Sequence, residues 1–333
     1  MTATMNRVEK TPTNPVNGWA RFLACPHCKQ PLSYNSDLLV CPTCGPVGKV
    51  EAGILRFTLT REDASITWYR NRGGAHFFER RRVPYTMSSL DTPQYHEYLA
   101  SVRPAQSNAT VVDVGAGDGR NTVPWLDWGF ERVIATDAVF ASLTRFRERL
   151  IANHPGWLDR VLLIECDARR LPLAADSVET ALAIESLYYL NEDYPLGLVE
   201  CRRILKSTGK LLLAERSWEG ALLTRLLYDG VKAMLLLSDS RDMWDGTGDD
   251  LVRSRCFTEP ELITILREHG LTPIECKGVS MIALVLGYLR REGKLKPADQ
   301  ELLPQVYALL QNLGDHGSIR RTHVVVAEKT LRV

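Results

Sequence analysis

The segment 110–120, TVVDVGAGDGR, decides the fold of this chain. Its first part, Thr110–Val114, is rich in β-branched residues and predicts a buried strand. The strand runs directly into Gly115, Ala116 and Gly117, where glycine lets the backbone turn sharply and approach a ligand more closely than a side chain would permit. The segment therefore predicts a ligand-binding turn at the end of a strand in an α/β sheet.

The acidic residues of this turn indicate which ligand it suits. A dinucleotide fingerprint reads G-x-G-x-x-G and places a pyrophosphate at the start of the following helix. This turn reads G-x-G-x-G, with Asp113 just before it and Asp118 inside it. Carboxylates at these positions would repel a pyrophosphate, but they suit a ligand that carries an ammonium and a sulfonium group.

Outward from this turn, apolar runs alternate with amphipathic segments, which is typical of a doubly wound α/β sheet. We expect about seven strands with helical insertions. The predicted strands are Thr110–Val114, Arg132–Thr136, Val161–Glu165, Val178–Ile184, Lys210–Ala214, a strand within Ile274–Leu286, and His323–Glu328. The predicted helices are Asn121–Asp127, Phe140–Asn153, Tyr194–Leu205 and Glu259–His269.

Two further acidic residues end the second and third predicted strands. Asp137, followed by Ala138, can accept hydrogen bonds from both hydroxyls of a ribose, as the acid after a glycine-rich turn does in dinucleotide folds. Asp167, followed by Ala168, is placed for the amino group of an adenine. An alternative interpretation is that these acids only cap helices.

With these motifs in this order, Thr110–Glu219 resembles the class I S-adenosylmethionine-dependent methyltransferases, which have a Rossmann-like fold. The resemblance implies S-adenosylmethionine as methyl donor. It implies that Gly115, Ala116 and Gly117 pack on the methionine part, that Asp137 holds the ribose, and that Asp167 with Ala168 faces the adenine. The turn Ser207-Thr208-Gly209 departs from the Pro-Gly-Gly usual in the family, but that turn is structural.

Glu185 ends the fourth predicted strand, where the family faces the transferring methyl group. Its apolar neighbours are expected to desolvate it and raise its pKa, which would make it a useful general base, while Tyr188 orients the acceptor. The alternative is that Glu185 holds the ammonium of the donor or caps the following helix.

Near the amino terminus, Cys25 and Cys28, then Cys41 and Cys44, form two C-x2-C pairs. A short hairpin between them can bring four thiolates to one tetrahedron, which predicts a closed, structural zinc site. Gly45 is expected to adopt a left-handed conformation there. The alternatives are two redox dithiols or cysteines unrelated to one another. The segment resembles the zinc ribbon of bacterial 23S rRNA guanine methyltransferases. The other cysteines are interpreted as inert thiols: Cys166, Cys201, Cys256 and Cys276.

The segment 68–82 interleaves aromatic residues with arginines, and we take Trp68, Tyr69, Arg72 and His76 as candidate acceptor-binding residues. Such a segment can grip RNA by stacking and phosphate pairing, or clamp a small anionic acceptor. A third interpretation is a helix that packs its aromatics on the catalytic domain and leaves its arginines in solvent. A leucine-rich helix within 217–256 is expected to roof a pocket, with a dimer contact or core packing as alternatives.

These motifs divide the chain into three parts. We expect an N-terminal arm and zinc ribbon at 1–60, a helical linker on the substrate side at 61–108, and a methyltransferase domain at 109–333. The last part carries insertions at about 217–256 and 287–320, which suggest an elaborated pocket rather than an open face for a large RNA.

Charge and composition narrow the function classes. The chain of 333 residues has 41 Lys and Arg against 40 Asp and Glu, so no overall field attracts polyanions or membranes. We find no apolar leader and no membrane-spanning run, and we expect a cytoplasmic enzyme. The sequence favours a small-molecule acceptor, with rRNA or tRNA as the alternative and a non-catalytic partner subunit as a third hypothesis; it leaves the oligomeric state open.

Overall fold

The computed structural model describes residues 16–330, except residues 17, 36, 60, 62, 248, 249, 296 and 317–319. The first fifteen residues of the predicted N-terminal arm lie outside the described residues. The strands are β1 (Ser33–Asn35), β2 (Leu38–Cys41), β3 (Gly45–Glu51), β4 (Ile54–Phe57), β5 (Thr110–Val114), β6 (Arg132–Asp137), β7 (Val161–Glu165), β8 (Val178–Ile184), β9 (Leu205–Arg216), β10 (Asp242–Thr247), β11 (Asp250–Arg255), β12 (Leu271–Ser280) and β13 (Arg320–Lys329). The helices are α1 (Ala64–Asn71), α2 (Phe77–Arg80), α3 (Met87–Ser101), α4 (Val123–Asp127), α5 (Phe140–Asn153), α6 (Tyr194–Ile204), α7 (Trp218–Asp229), α8 (Val231–Ser240), α9 (Glu259–Glu268), α10 (Met281–Arg291) and α11 (Leu303–His316).

Within the described part of the chain, eleven strands form one mixed sheet in the order β1-β2-β3-β4-β7-β6-β5-β8-β9-β13-β12. Strands β5 to β9 are parallel to one another, and β13 is antiparallel to both β9 and β12. Apolar clusters cover both faces, with Trp125 and Phe130 on one face and Tyr194 and Phe257 on the other. The predicted α/β, Rossmann-like doubly wound sheet with helical insertions is confirmed.

The central strands follow their predicted bounds closely. β5, β7 and β8 begin and end at the predicted residues, as does helix α5. Every residue of β5 and β7 is buried, because helices cover both faces of a parallel sheet, and such strands are recognisable as short apolar runs.

Elsewhere the bounds differ for local reasons. β9 begins at Leu205, five residues before the predicted start, and α4 begins at Val123. The predicted strand within Ile274–Leu286 ends at Ser280, because the Ser280 side chain accepts a hydrogen bond from the backbone N–H of Ile282 at 3.2 Å and starts α10. A single apolar run therefore divides into a strand and a helix.

The segment with the paired cysteines extends the central sheet. β4 pairs in parallel with β7, placing Leu55 opposite Ile164 and Arg56 opposite Glu165. The Arg56 guanidinium donates to the Glu165 carboxylate at 2.5 Å. Sequence reasoning did not predict this pairing, because neither strand carries a signal for its partner.

Between β9 and α9 the chain adds two helices and a hairpin. α7 begins at a Ser217 cap, whose hydroxyl accepts from the Gly220 N–H at 2.8 Å, and its Tyr228 meets Tyr288 of α10 edge-on at 5.5 Å. The second half of the insertion forms the antiparallel pair β10–β11. This hairpin, rather than the leucine-rich helices, extends to the carboxyl ends of the central strands.

Candidate active site

A cavity of about 770 Å³ opens at the carboxyl ends of the central strands. The residues that follow β5, β6, β7 and β8 line one side of it, in the ranges 114–117, 136–139, 166–169 and 184–190. Parallel strands bring their carboxyl ends to one edge of the sheet, which is where doubly wound folds bind ligands. The volume of this cavity lies within the range found for small-molecule sites.

The glycine-rich turn forms the floor of the cavity. Gly115 has φ +78°, and a Cβ added there would lie 2.3 Å from Cβ of Ser186. The backbone N–H groups of Gly115 and Ala116 both donate to the Thr136 carbonyl at 2.8 Å. Gly117 also lines the cavity, so the three predicted turn residues lie together.

Asp137 is held at the end of β6 by two backbone donors. Oδ2 accepts from the Gly117 N–H and Oδ1 from the Val139 N–H, each at 2.8 Å. Burial raises the pKa of Asp137 to about 6, although both N–H groups favour its ionised form. Asp137 and its neighbour Ala138 line the cavity.

Asp113, in contrast, does not line the cavity. Its side chain is buried beneath the glycine-rich turn, where Oδ2 accepts a hydrogen bond from the Thr122 hydroxyl at 2.7 Å. Burial raises the pKa of Asp113 to about 6. Sequence reasoning placed this carboxylate at the ligand because it precedes the turn, but side chains alternate along a strand, and this one points inward.

Asp167 and Ala168 lie at the next strand end, and both line the cavity. Arg169 holds the Asp167 carboxylate in a two-point contact, with Nε 2.9 Å from Oδ1 and Nη2 2.8 Å from Oδ2. The same guanidinium contacts Asp63 and Asp193 at 2.9 and 3.0 Å. This ion pair fixes the orientation of Asp167 at that end of the cavity.

Glu185 lies in the cavity wall, but its environment differs from the prediction. Arg321 donates to its carboxylate at 3.1 Å and Arg120 at 3.4 Å. Burial alone would raise the pKa of Glu185, yet Arg321, Arg120 and Arg216 outweigh burial and lower it to about 2. The expected raised pKa is therefore wrong, because sequence reasoning counted the apolar neighbours and could not see the arginines.

Sequence reasoning missed four charged residues that line this part of the cavity: Asp91, Arg120, Arg216 and Arg321. Arg321 bridges Glu185 and Asp91, which comes from α3. Arg120 directly follows the glycine-rich turn, and that position was the only available signal. Asp91 and Arg321 are separated by 230 residues, so no local pattern could pair them.

A polar network of tyrosines forms the wall beside Glu185. The hydroxyls of Tyr69 and Tyr189 lie 3.2 Å apart, and Tyr189 donates to Asp245 at 3.1 Å. Arg216 binds the same Asp245 carboxylate at 3.0 Å and donates to the Tyr188 hydroxyl at 3.4 Å. Burial raises the pKa of Tyr188 and of Tyr189 well above the usual value for a phenol, so both remain protonated and can donate.

The four candidate acceptor-binding residues Trp68, Tyr69, Arg72 and His76 all line the same cavity. The Arg72 guanidinium stacks on Trp68, 3.6 Å from the ring centroid, and pairs with Asp250 of the hairpin. The Trp68 indole N–H donates to the Asp250 carbonyl at 3.2 Å. α1 and the β10–β11 hairpin are thereby joined at the cavity.

The leucine-rich helices α7 and α8 do not roof this cavity, contrary to the expectation. Among the described residues of the insertion, those that line it are Asp245 and Gly246, in the hairpin. Ala221 of α7 and Leu237 of α8 pack instead in a small separate cluster with Met243 and Cys256. The hairpin residues Asp245 and Gly246, rather than the apolar helices, therefore face the cavity.

At the other end of the sheet, the four paired cysteines come together. The sulfurs of Cys25, Cys28, Cys41 and Cys44 all lie within 4.8 Å of one another. Lys29 and Gly45, each directly after the second cysteine of a pair, have φ values of +64° and +76°. The two C-x2-C pairs are thus each followed by a residue in the left-handed conformation, which is the conformation predicted for Gly45.

Residues 112–213 match the family model described as methyltransferase domain. The match covers the glycine-rich turn, Asp137, Asp167 and Glu185, which line the cavity. The chain carries a methyltransferase domain. A search of curated proteins finds no matching sequence.

Several solved structures are similar to this chain. A putative S-adenosylmethionine-dependent methyltransferase from Listeria monocytogenes is 15% identical, covers 73% of this chain and 100% of its own, and has a TM-score of 0.51. The Burkholderia thailandensis 1,6-didemethyltoxoflavin-N1-methyltransferase, solved with bound 1,6-didemethyltoxoflavin and S-adenosylhomocysteine, is 18% identical. It covers 90% of this chain and 99% of its own, with a TM-score of 0.49. A chain from the Haloferax volcanii complex of the Trm112 methyltransferase activator with a putative methyltransferase is 18% identical, with 74% and 94% coverage and a TM-score of 0.49.

Over the described residues of the methyltransferase, no helix combines the length and apolar character needed to cross a bilayer.

The buried carboxyl group of Asp113 predicts a pH dependence of stability. Because burial raises its pKa from 3.8 to about 6, the folded chain binds more protons than the unfolded chain between these values, and this group makes stability fall as pH rises through that window. Asp113→Asn keeps an acceptor for Thr122 and removes the charge. We expect it to raise the free energy of unfolding at pH 7.5 by about 1–3 kcal/mol and to flatten the dependence between pH 4 and 6.

Urea denaturation at several pH values without ligand measures this effect. Asp127→Asn, which removes an exposed carboxylate at the end of α4, is the matched control and should not give the stability gain at pH 7.5. If Asp113→Asn and the parent lost stability in parallel as pH rises, the assigned desolvation would be wrong.

Proposed function

We propose that this methyltransferase transfers a methyl group from S-adenosylmethionine to a small-molecule acceptor. The observation that supports this most directly is that one cavity contains both the glycine-rich turn with Asp137 and the wall of Trp68, Tyr69 and Tyr188. The donor-type elements and the candidate acceptor residues thus line a single cavity. A polynucleotide would need an extended groove with cations available to its phosphates.

In the proposed arrangement, the donor lies along the carboxyl ends of β5, β6 and β7. Gly115, Ala116 and Gly117 face its methionine part, Asp137 accepts from the ribose hydroxyls, and the Asp167–Ala168 segment borders the adenine. The fixed Asp137 carboxylate supports this assignment, because two backbone N–H groups already orient it. We assign Asp113 a supporting role beneath the turn rather than contact with the donor.

The arginines of the 68–82 segment favour a small acceptor over RNA. Arg72 pairs with Asp250, and Arg70 approaches Glu165 at 3.8 Å, so both lie against carboxylates of this chain. Arg81 stacks on the ring of buried Phe78 at 3.8 Å. Because these three arginines contact other groups of the protein, fewer guanidinium groups of the 68–82 segment are available to bind the phosphates of an RNA.

The donor supplies an activated methyl group on a sulfonium, which is a good leaving group. A lone pair of the acceptor forms the new bond to the methyl carbon while the carbon–sulfur bond breaks and its electron pair passes to sulfur. The protein then has to align the two reactants and exclude water. We propose that protonated Tyr188 and Tyr69 orient the acceptor and that the β10–β11 hairpin covers it.

Glu185 fits a positioning role better than that of a general base. A carboxylate whose pKa is lowered to about 2 is a weak proton acceptor near neutral pH. Its charge is instead matched by Arg120 and Arg321, and it faces the region where the donor's ammonium would lie. We therefore assign Glu185 to the donor side of the reaction.

The donor site is tested by replacing Asp137. Asp137→Ala removes the proposed ribose acceptor, and loss of a charge-assisted hydrogen bond should weaken binding by about 1.5–3 kcal/mol, or roughly tenfold to more than a hundredfold. Calorimetry with S-adenosylhomocysteine measures the affinity. Asp113→Asn is the matched control, since its carboxyl group lies outside the cavity and should leave affinity within a few-fold. Unchanged binding by Asp137→Ala would exclude the assigned site.

The acceptor class is tested with donor carrying a labelled methyl group. We expect incubation of the enzyme with cell extract to label a compound in the small-molecule fraction, with Asp137→Ala as the background control. The label should be insensitive to ribonuclease and to moderate salt. Label in RNA that declines steeply with salt concentration would instead establish a nucleic-acid substrate, because phosphate contacts depend on counterion release.

We further propose that Cys25, Cys28, Cys41 and Cys44 hold one structural zinc ion. Four thiolates about 2.3 Å from a tetrahedral metal lie about 3.8 Å apart. The observed sulfurs all lie within 4.8 Å of one another, and those of Cys28 and Cys41 are 3.3 Å apart, so small shifts satisfy the geometry. Backbone N–H groups of Thr43 and Cys44 point toward the Cys41 sulfur, where they stabilise thiolate charge. With four protein ligands, the metal has no open position and supplies stability rather than catalysis.

Metal analysis tests this site in protein purified without chelator and dialysed against metal-free buffer. We expect close to one zinc per chain, close to none in Cys41→Ser, and close to one in the control Cys201→Ala, which replaces a buried cysteine of α6. The Cys41→Ser variant should also lose stability, because small zinc modules depend on their metal for folding. Full zinc content in Cys41→Ser would contradict the proposal.

A further inference from the structure

A second group of metal-ligand residues lies in the seam between β12, β13 and the start of α9. Glu259, Cys276 and His323 each place a possible ligand atom within 4.8 Å of the others. Cys276 and His323 are diagonal neighbours on one face of the β12–β13 pair, since Cys276 lies opposite Val325 and His323 opposite Gly278. Glu259 is the first residue of α9, which packs against that face.

The imidazole of His323 is prepared as a ligand. The residue is 5% exposed, and Nε2 lies 3.1 Å from the Phe257 carbonyl. A carbonyl only accepts, so Nε2 carries the proton and Nδ1 keeps its lone pair. Nδ1 is buried without a hydrogen-bond partner. Metal-binding histidines commonly donate their other ring N–H to a backbone carbonyl in this way, which fixes both the tautomer and the ring orientation.

A cation already contacts the other two groups. The Arg320 guanidinium donates to Glu259 at 2.8 Å and lies 3.5 Å from the Cys276 sulfur. Its side chain is 10% exposed. Arg320 thus contributes a positive charge where a metal ion would contribute two, and it competes for the same ligands.

We propose that Glu259, Cys276 and His323 form a second, exchangeable site for Zn²⁺ or a similar divalent transition metal, separate from the four-cysteine cluster. Thiolate, imidazole and carboxylate together are typical ligands of zinc, and three protein ligands leave a fourth position for water. On binding, Cys276 releases its thiol proton, Glu259 and the thiolate together balance the two charges of the metal, and Arg320 turns away. The ligand atoms then contract to about 3.5 Å from one another.

This arrangement predicts how the second site differs from the four-cysteine site. Metal must displace Arg320 and a proton, so affinity should be moderate and should rise with pH. Dialysis should empty the second site while the four-cysteine site keeps its zinc. The two sites can therefore be distinguished by whether dialysis removes their metal and by the cysteine on which each depends.

The test is a titration of dialysed full-length protein with Co²⁺, followed by the near-ultraviolet thiolate–cobalt absorption band, with zinc release from the four-cysteine site monitored in the same samples. We expect one further equivalent of metal. Cys276→Ser should abolish the thiolate band, whereas Cys201→Ala should keep it. Cys41→Ser should lose its zinc but retain the added cobalt site, which separates this proposal from the first metal site.

Arg320→Gln gives the sharpest result, because it removes the competing cation while leaving all three ligands. We expect its metal affinity to increase by at least about tenfold. A merely structural cluster would not gain affinity from this change. The proposal is overturned if no further equivalent binds to folded protein, if Cys276→Ser keeps the thiolate band, or if Arg320→Gln binds no more tightly than the parent.

Discussion

The cavity depends on one buried charge cluster, in which Arg321 joins Glu185 and Asp91 while Arg120 approaches Glu185 from the other side. These residues come from β13, the end of β8, α3 and the segment after β5. Removing one partner from a buried ion pair leaves an uncompensated charge and typically costs about 3–5 kcal/mol. The cluster therefore fixes the positions of four elements that are distant along the chain.

The same cluster accounts for an unusual backbone conformation. Glu185 has φ +52°, a left-handed value that a residue other than glycine adopts at a cost. Such strain persists where surrounding contacts determine the conformation, and here two guanidinium groups hold the carboxylate. The turn lets β8 end at the cavity and directs the following segment, with Tyr188 and Tyr189, into its wall.

The four-cysteine segment is connected to the cavity by its pairing with the central sheet. β4 adds to β7, and Arg56 lies between Glu165 at the end of β7 and the ring of Phe140, whose centroid is 3.9 Å away. On the opposite side, Lys29 binds Glu200 of α6 at 2.8 Å. A metal ion held by the four cysteines would thus stabilise the segment that pairs with β7, the strand that precedes Asp167. No cysteine of the four lines the cavity within the described residues.

The sequence by itself determined the central strands, the glycine-rich turn and the strand-end acids, because each is written in a short contiguous segment. A buried parallel strand is an apolar run, and a turn that approaches a ligand needs glycine. The paired cysteines were equally readable, since ligand spacing is local.

Tertiary structure alone decided the ionisation of Glu185 and the inward direction of the Asp113 side chain. It also decided that the β10–β11 hairpin, and not the leucine-rich helices, forms a wall of the cavity. A pKa is the sum of desolvation and of charges brought near from any part of the chain, and Arg321 lies 136 residues from Glu185. Which element covers a cavity likewise depends on how separate elements pack together. The hydrophobic periodicity of a single segment does not indicate that packing.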